Sequence, residues 1–180
     1  SFFNNKQKLS YATTRAGNVI GGGDMKKDRI VPDVIKSLQN KTKLTIRNPQ
    51  ATRPWQHVLE PLNGYLVLGV KLFKKPKFYS GAWNFGCKKN TVTSVLEIVR
   101  KMVGFWGKGR IKYKKNNKYY EQENLQLNIS KAVKKLNWKP KFNISESINV
   151  TTEWYKKVLE EKVSTEQITI KQIQEYMKID

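Results

Sequence analysis

Apolar and polar positions along this chain fall into blocks whose period switches between that of a strand and that of a helix. Residues 8–20, KLSYATTRAGNVI, form an apolar and β-branched run closed by Gly21, Gly22 and Gly23, which predicts a buried strand running into a glycine loop. Asp28 then precedes RIVPDVIKSLQN, where Ile30, Val31, Val34, Ile35 and Leu38 share one helical stripe, so a helix is expected with Asp28 as its N-cap. Residues 43–47 predict a short strand, residues 55–58 another beyond Pro54. Pro61 opens a helix, LNGYLVLGVKLF, whose apolar face carries Leu62, Tyr65, Leu66, Leu68 and Leu72.

After a loop at 74–80, AWNF at 82–85 predicts a strand ended by Gly86, and residues 92–106 a helix starting after Thr91. A strand at 111–114, a polar excursion, a short helix at 130–136 and a longer one at 144–161 follow. The last has Ile148, Thr151, Thr152 and Tyr155 on one side. No internal repeat is evident, and strands alternating with helices predict an α/β protein.

Length and composition narrow this picture. With 180 residues, 38% of them hydrophobic, and five Trp, seven Phe and eight Tyr, the chain can bury a sizeable core as one domain or parts of two. Its apolar runs fall short of the roughly 18 to 20 residues that span a bilayer, and SFFNNKQK does not resemble a signal peptide, so a cytoplasmic protein with no membrane partner is expected. One cysteine, Cys87, excludes an internal disulfide and a Cys-based zinc site. One histidine removes most metal and triad chemistry, and no catalytic metal is expected. The opening at Ser1, on a short amphipathic piece with no capping signal, reads as that of a fragment.

A formal charge of +21 would ordinarily point to nucleic acid. The lysines, however, occupy nearly every segment beside 15 asparagines, a compositional drift rather than a patterned basic face, so a nucleic-acid partner is disfavoured. Arginine is different. Only six arginines stand among 29 lysines, and residues 12–24 (ATTRAGNVIGGGD) and 47–60 (RNPQATRPWQHVLE) hold three of them with the single histidine. A planar guanidinium grips phosphate through two parallel hydrogen bonds, which a lysine cannot do.

Three glycines after a strand serve either a plain turn or a loop bordering a ligand. Neither a P-loop nor GxGxxG at a strand-to-helix turn occurs in the chain. Arg53, with Pro54 and Trp55 after it, serves either a surface salt bridge or a diphosphate, with Arg29, Arg47 and Asn18 as co-donors. His57 is either an acid or base, or an imidazole that orients structure or substrate. Trp55, Trp83, Trp106 and Trp138 are expected in the core.

At these residues the chain resembles the extended short-chain dehydrogenase/reductases that act on nucleotide sugars, and within them the CDP-glucose 4,6-dehydratases. ATTRAGNVIGGGD, DRIVPDVIKSL, RNPQATRPWQHVLEPLNGYL, AWNFG, SKAVKKLNWKP and ITIKQIQEYM carry the resemblance in order and spacing over nearly the whole chain. It departs at Met25, where Trp is usual, at Tyr120, where His is common, and at Asn128, where Asp commonly precedes SKA.

The resemblance implies the C-terminal part of a Rossmann-type NAD-binding domain, at 1–28 and 59–90, and a smaller α/β sugar-nucleotide-binding domain, at 29–58 and 91–180. The implied reaction is loss of water across C5 and C6 of the sugar, made feasible by transient oxidation at C4 with NAD as hydride carrier. Asn18, Arg29, Arg47, Arg53 and Glu121 are the implied contacts to CDP-glucose or a related nucleotide sugar, and His57 is counted with them as the substrate-orienting imidazole. Arg15, Ala16, Gly17 and Asn18 are the implied contacts to NAD. None of the eight tyrosines has lysine four residues on, so the family's Tyr-x-x-x-Lys pair is absent, as is its glycine fingerprint. Both, with the catalytic residues, are implied to precede Ser1, and the complete enzyme is expected to be a homo-oligomer.

Overall fold

A computed structural model describes residues 10–46, 48–87, 93–113 and 127–179. The predicted buried strand at 8–20 divides at Gly17. Its first part, β1 (Ala12–Ala16), and its second, β2 (Asn18–Ile20), pair with different partners. Helix α1 (Ile30–Gln39) follows, then three short strands, β3 (Lys43–Ile46), β4 (Thr52–Arg53) and β5 (Trp55–His57). Next come α2 (Leu59–Lys74), α3 (Pro76–Tyr79), β6 (Gly81–Phe85), β7 (Thr93–Ser94) and α4 (Val95–Trp106). The chain then forms β8 (Arg110–Tyr113), α5 (Ser130–Leu136), α6 (Ile144–Leu159) and α7 (Thr165–Met177).

Among the described residues the strands make four pairs. Three are parallel: β1 with β6, β2 with β5, and β3 with β8. The fourth, β4 with β7, is antiparallel. Parallel pairs joined by helical crossovers make the chain α/β, as its alternating pattern requires.

Two apolar cores organise these pieces. The larger joins α1, β3, β5, α4 and α6 through Val34, Ile35, Ile98, Val99, Met102, Trp106, Ile148 and Tyr155, and takes in Ile168 of α7. The smaller sits on β6, with Trp83 and Phe85 packed by Leu68 of α2, by Ala132 and Leu136 of α5, and by Trp138. Residues 132–138 therefore pack with β1 and β6, on the side of the chain expected to be Rossmann-like. Helix α2 comes so close to β6 at Gly64 that a Cβ there would fall inside the Phe85 ring. Trp55, Trp83, Trp106 and Trp138 are all buried, as their apolar character predicts.

Three local expectations change. Asp28 adopts φ 61° and Arg29 is the N-cap of α1, with no side-chain cap bond. Helix α2 begins at Leu59, placing Pro61 in its first turn, and of the expected apolar face only Leu68 is buried, while Leu62 and Leu66 are 46% and 72% exposed. The 92–106 helix begins at Val95, because the Ser94 hydroxyl accepts from the Glu97 N–H and caps it there. Helix α6 starts on a capping box, in which Asn143 and Glu146 satisfy each other's backbone N–H groups.

Glu60, in the first turn of α2, is 1% exposed. Its carboxylate accepts from the Lys141 N–H (3.0 Å), the Phe142 N–H (2.7 Å) and the Tyr176 hydroxyl (2.9 Å). Burial raises its pKa, and these donors together with the Lys141 charge oppose that rise. Glu60→Ala leaves two backbone N–H groups and a phenol without an acceptor and should destabilise the protein by about 3 kcal/mol or more. Glu60→Gln keeps one carbonyl for the two N–H groups and should cost about 1 kcal/mol. Urea unfolding of both variants measures the difference, and equal losses would remove the hydrogen bonds as the cause.

Candidate functional site

The C-terminal ends of β2 and β5, the start of α1 and the β3–β4 connection enclose a cleft of about 800 Å³. Ligand sites in open α/β structures favour such strand ends. Asn18 and Ile20 of β2, then Gly21 and Gly22, form one wall. Asp24, Asp28 and Arg29 form the rim that leads into α1. Trp55 stands beside Asn18 on the paired strand β5, and Thr45, Asn48 and Arg53 complete the lining.

The glycine loop is shaped by α6. Gly22 rests on the face of Trp154, and a Cβ at Gly22 would fall inside the indole, so this position requires glycine for close approach. The Trp154 Nε1–H donates to Thr169 of α7 at 2.9 Å, which fixes the ring. The Tyr155 hydroxyl donates to the Asp24 carbonyl at 2.7 Å, and its pKa is pushed up to about 12, first by burial and then by the Asp24 charge. Arg29 Nη1 donates to the Asp24 carboxylate at 3.0 Å, and the Lys26 N–H donates to that carboxylate's other oxygen. Burial raises the Asp24 pKa, but these two hydrogen bonds and the Arg29 and Lys26 charges together outweigh it and leave the carboxyl below the usual range.

Of the residues singled out from the sequence, Asn18, Arg29 and Arg53 meet in this cleft. Arg53 is half-buried in β4, and its Nη1 donates to the Thr52 carbonyl at 2.8 Å. His57 lies beneath the cleft rather than in its lining. It is 2% exposed, packs edge-on to Phe142 with ring centroids 5.6 Å apart, and accepts from the Leu59 N–H at Nδ1. Burial pulls its pKa from 6.5 to about 4, which keeps the imidazole neutral. Arg15 and Ala16 end β1, and Gly17 follows with its N–H donated to the Phe85 carbonyl. These three stand outside the cleft lining, with Arg15 exposed. Arg47 and Glu121 lie outside the described residues.

Sequence reasoning passed over Asp24, Trp154 and Tyr155 as parts of a site. The available signal was the pairing of three glycines with the adjacent aromatics of TTEWYKK, but nothing local connects segments about 130 residues apart. No group of His, Cys, Asp and Glu among the described residues is arranged to hold a metal ion. No helix among them is long and apolar enough to cross a membrane.

The chain is 41% identical over 161 residues to the CDP-glucose 4,6-dehydratase of Salmonella typhimurium, an alignment covering 87% of this chain and 45% of that protein. The chain is a relative of CDP-glucose 4,6-dehydratase. Its fold matches that of dTDP-glucose 4,6-dehydratase from Bacillus anthracis, solved with NAD, at a TM-score of 0.65 and 20% identity, covering 81% of this chain and 44% of that one. An epimerase from Methanothermobacter thermautotrophicus matches at a TM-score of 0.68 and 21% identity, covering 88% and 47%. No protein-family model matches. The chain thus spans about half the length of the nucleotide-sugar dehydratases it matches, and its α/β fold is that of the Rossmann-type dehydratases and epimerases.

The neutral, buried His57 makes a pH prediction. Its folded pKa is depressed, so its contribution is present above pH 6.5 and is lost as pH falls from 6.5 toward 4, while the unfolded chain takes up the proton first. Stability should fall by about 2 kcal/mol between pH 7 and pH 5 through this group alone. The slope should flatten in His57→Asn. Equal slopes in urea titrations of wild type and variant would show that the ring titrates normally.

Proposed function

We propose that this chain is the C-terminal, nucleotide-sugar-binding portion of an NAD-dependent CDP-glucose 4,6-dehydratase, a lyase that forms a 4-keto-6-deoxy sugar nucleotide. The observation that carries the reading is the 41% identity to such an enzyme over 87% of the chain. It is supported by a cleft into which the sequence's scarce arginines, Arg29 and Arg53, and Asn18 project from three separate segments.

In this reading Arg53 is the principal grip on the diphosphate. Its backbone is held in β4, Pro54 and Trp55 after it are buried, and its planar fork offers parallel donors to phosphate oxygens. Arg29, held by Asp24 at the cleft rim, is the second cation, and Asn18 supplies a neutral amide to the sugar side. Arg47 and Glu121 are further contacts to the nucleotide by family resemblance.

NAD, when bound, supplies reversible hydride transfer. Arg15, Ala16 and Gly17 suit one wall of its site, because they leave β1 at the carboxyl end of a parallel pair, the end of an open α/β sheet at which ligands lie. His57 fits a supporting role, since its enclosed ring braces the β5 to α2 junction under Val58, which itself lines the cleft. By family resemblance, proton transfer to and from the sugar is the work of a Tyr-x-x-x-Lys pair, which does not occur among these 180 residues.

Two measurements test the reading. In calorimetric titrations the chain should bind CDP-glucose in preference to UDP-glucose and dTDP-glucose. Arg53→Lys should weaken that binding by about 1 to 3 kcal/mol. Binding that ignores the base but collapses with salt would instead mark a polyanion site. The chain alone, supplied with NAD and CDP-glucose, should form no 4-keto product, and turnover would overturn the division of labour proposed here.

A further inference from the structure

Arg29 reaches the cleft from the most exposed segment of its wall, and yet three successive contacts hold that segment in place. The Tyr155 hydroxyl, on a residue that is itself fully buried, donates to the main-chain carbonyl of Asp24. The Asp24 carboxylate receives Arg29 Nη1 at 3.0 Å. Two residues earlier, Gly22 lies flat on Trp154, whose indole N–H is held by Thr169 of α7. The wall that presents Arg29 is thus anchored to α6 and α7, elements that contribute no residue to the cleft lining.

Nothing else accounts for a phenol donating to a loop carbonyl from inside the core. The Tyr155 ring is packed in the larger core, where Phe would fill the same volume, so the hydroxyl serves the contact with Asp24 alone among the bonds described for it. The loop it meets carries little apolar anchorage of its own. Gly22, Gly23, Met25, Lys26, Lys27, Asp28 and Arg29 are all exposed. Without the hydroxyl, the contacts described at Asp24 would reduce to Gly22 on Trp154 nearby, the local bond from the Lys26 N–H and the exposed Asp24–Arg29 pair, which by itself contributes little in water.

We propose that Tyr155 is a positioning residue for substrate binding: through the Asp24 carbonyl and carboxylate it sets the place of the Arg29 guanidinium at the rim of the cleft, with Trp154 and Thr169 holding the adjoining glycine turn. The proposal rests on the nucleotide-sugar reading for its ligand but not for its geometry, so its test has two arms.

The first arm uses no ligand. In Tyr155→Phe, amide hydrogen exchange across residues 21–29 should accelerate about three- to tenfold, the worth of one neutral hydrogen bond. Exchange in α4 and the first half of α6 should stay as in wild type. Thr169→Val, which frees the Trp154 indole from α7, should accelerate the same segment without touching the Asp24 contact. Unchanged exchange at 21–29 in Tyr155→Phe would overturn the proposal whatever the ligand is, and acceleration spread evenly over the molecule would reduce Tyr155 to a packing residue.

The second arm is a double-mutant cycle with CDP-glucose as the probe. Tyr155→Phe and Arg29→Gln should each weaken binding. If Tyr155 acts through Arg29, then Tyr155→Phe should have little further effect in the Arg29→Gln background. Fully additive losses would show that the hydroxyl acts on binding by another route and would overturn the coupling. If wild type binds no CDP-glucose, the function proposed above fails, and the exchange arm alone decides the positioning of the loop.

Discussion

The carboxylate of Glu60 joins three parts of the chain that are far apart in sequence. It belongs to the first turn of α2, it accepts the N–H groups of Lys141 and Phe142 ahead of α6, and it receives the hydroxyl of Tyr176 near the end of α7. A buried carboxylate without donors is among the costliest groups a protein can enclose, so its presence obliges the chain to bring donors to it. Position 60 comes three residues after the end of β5, so the constraint is passed to the floor of the cleft. Phe142, whose N–H is bound, is the residue whose ring packs on His57, and Val58 between His57 and Glu60 lines the cleft. The Val58 N–H in turn donates to the Ile20 carbonyl of β2 at 2.8 Å, so the first strand pair of the cleft is tied to the same junction.

The cleft itself follows from parallel pairing. Strands β2 and β5 run together and end together, at Ile20 and His57, so the chain leaves both at the same edge. One exit is the glycine loop and the other is the turn into α2. Between them the start of α1 and the β3–β4 connection close the remaining sides. What makes the space specific is less its shape than the route by which each polar group arrives. Asn18 comes from a strand, Arg53 from a strand paired to β7, and Arg29 from a loop held at a distance by α6. A change in any one contact can therefore be local.

The sequence carried much of this and left out a definable remainder. The stripe Ile30, Val31, Val34, Ile35 and Leu38 predicted α1 because one buried face repeats at the helical period, and Ile30 is the only one of the five that keeps partial exposure. The same rule failed for α2. Its Leu62 and Leu66 read as core positions, but the face that packs on β6 is centred on Gly64 and Leu68, since a glycine allows closer approach than a leucine and hydrophobicity counts do not register it. His57 looked like a candidate for chemistry because it is the single histidine. Its enclosure depends on Phe142, a contact that no local pattern announces. The Tyr155 hydroxyl and the Glu60 carboxylate were illegible for the same reason. Each is decided by a partner more than 80 residues away, and the bond, not the residue type, confers the role.

Charge illustrates the same point at a larger scale. The chain's +21 is spread thinly, and residues 61–96 contain no acidic residue at all. Yet the cleft is where acid and base come together, with Asp24, Asp28 and Asp33 lining it alongside Arg29 and Arg53. A long-range positive field draws any anion toward the molecule, and salt screens it over about 10 Å. A rim of mixed sign does something different. Under the proposed function it would penalise an extended polyanion, whose successive phosphates would have to pass three carboxylates, and would tolerate a compact diphosphate that reaches the guanidinium groups alone. On that proposal the scarcity of arginine and the placement of these acids bear on the same discrimination, one by gripping a short anion and the others by excluding a long one.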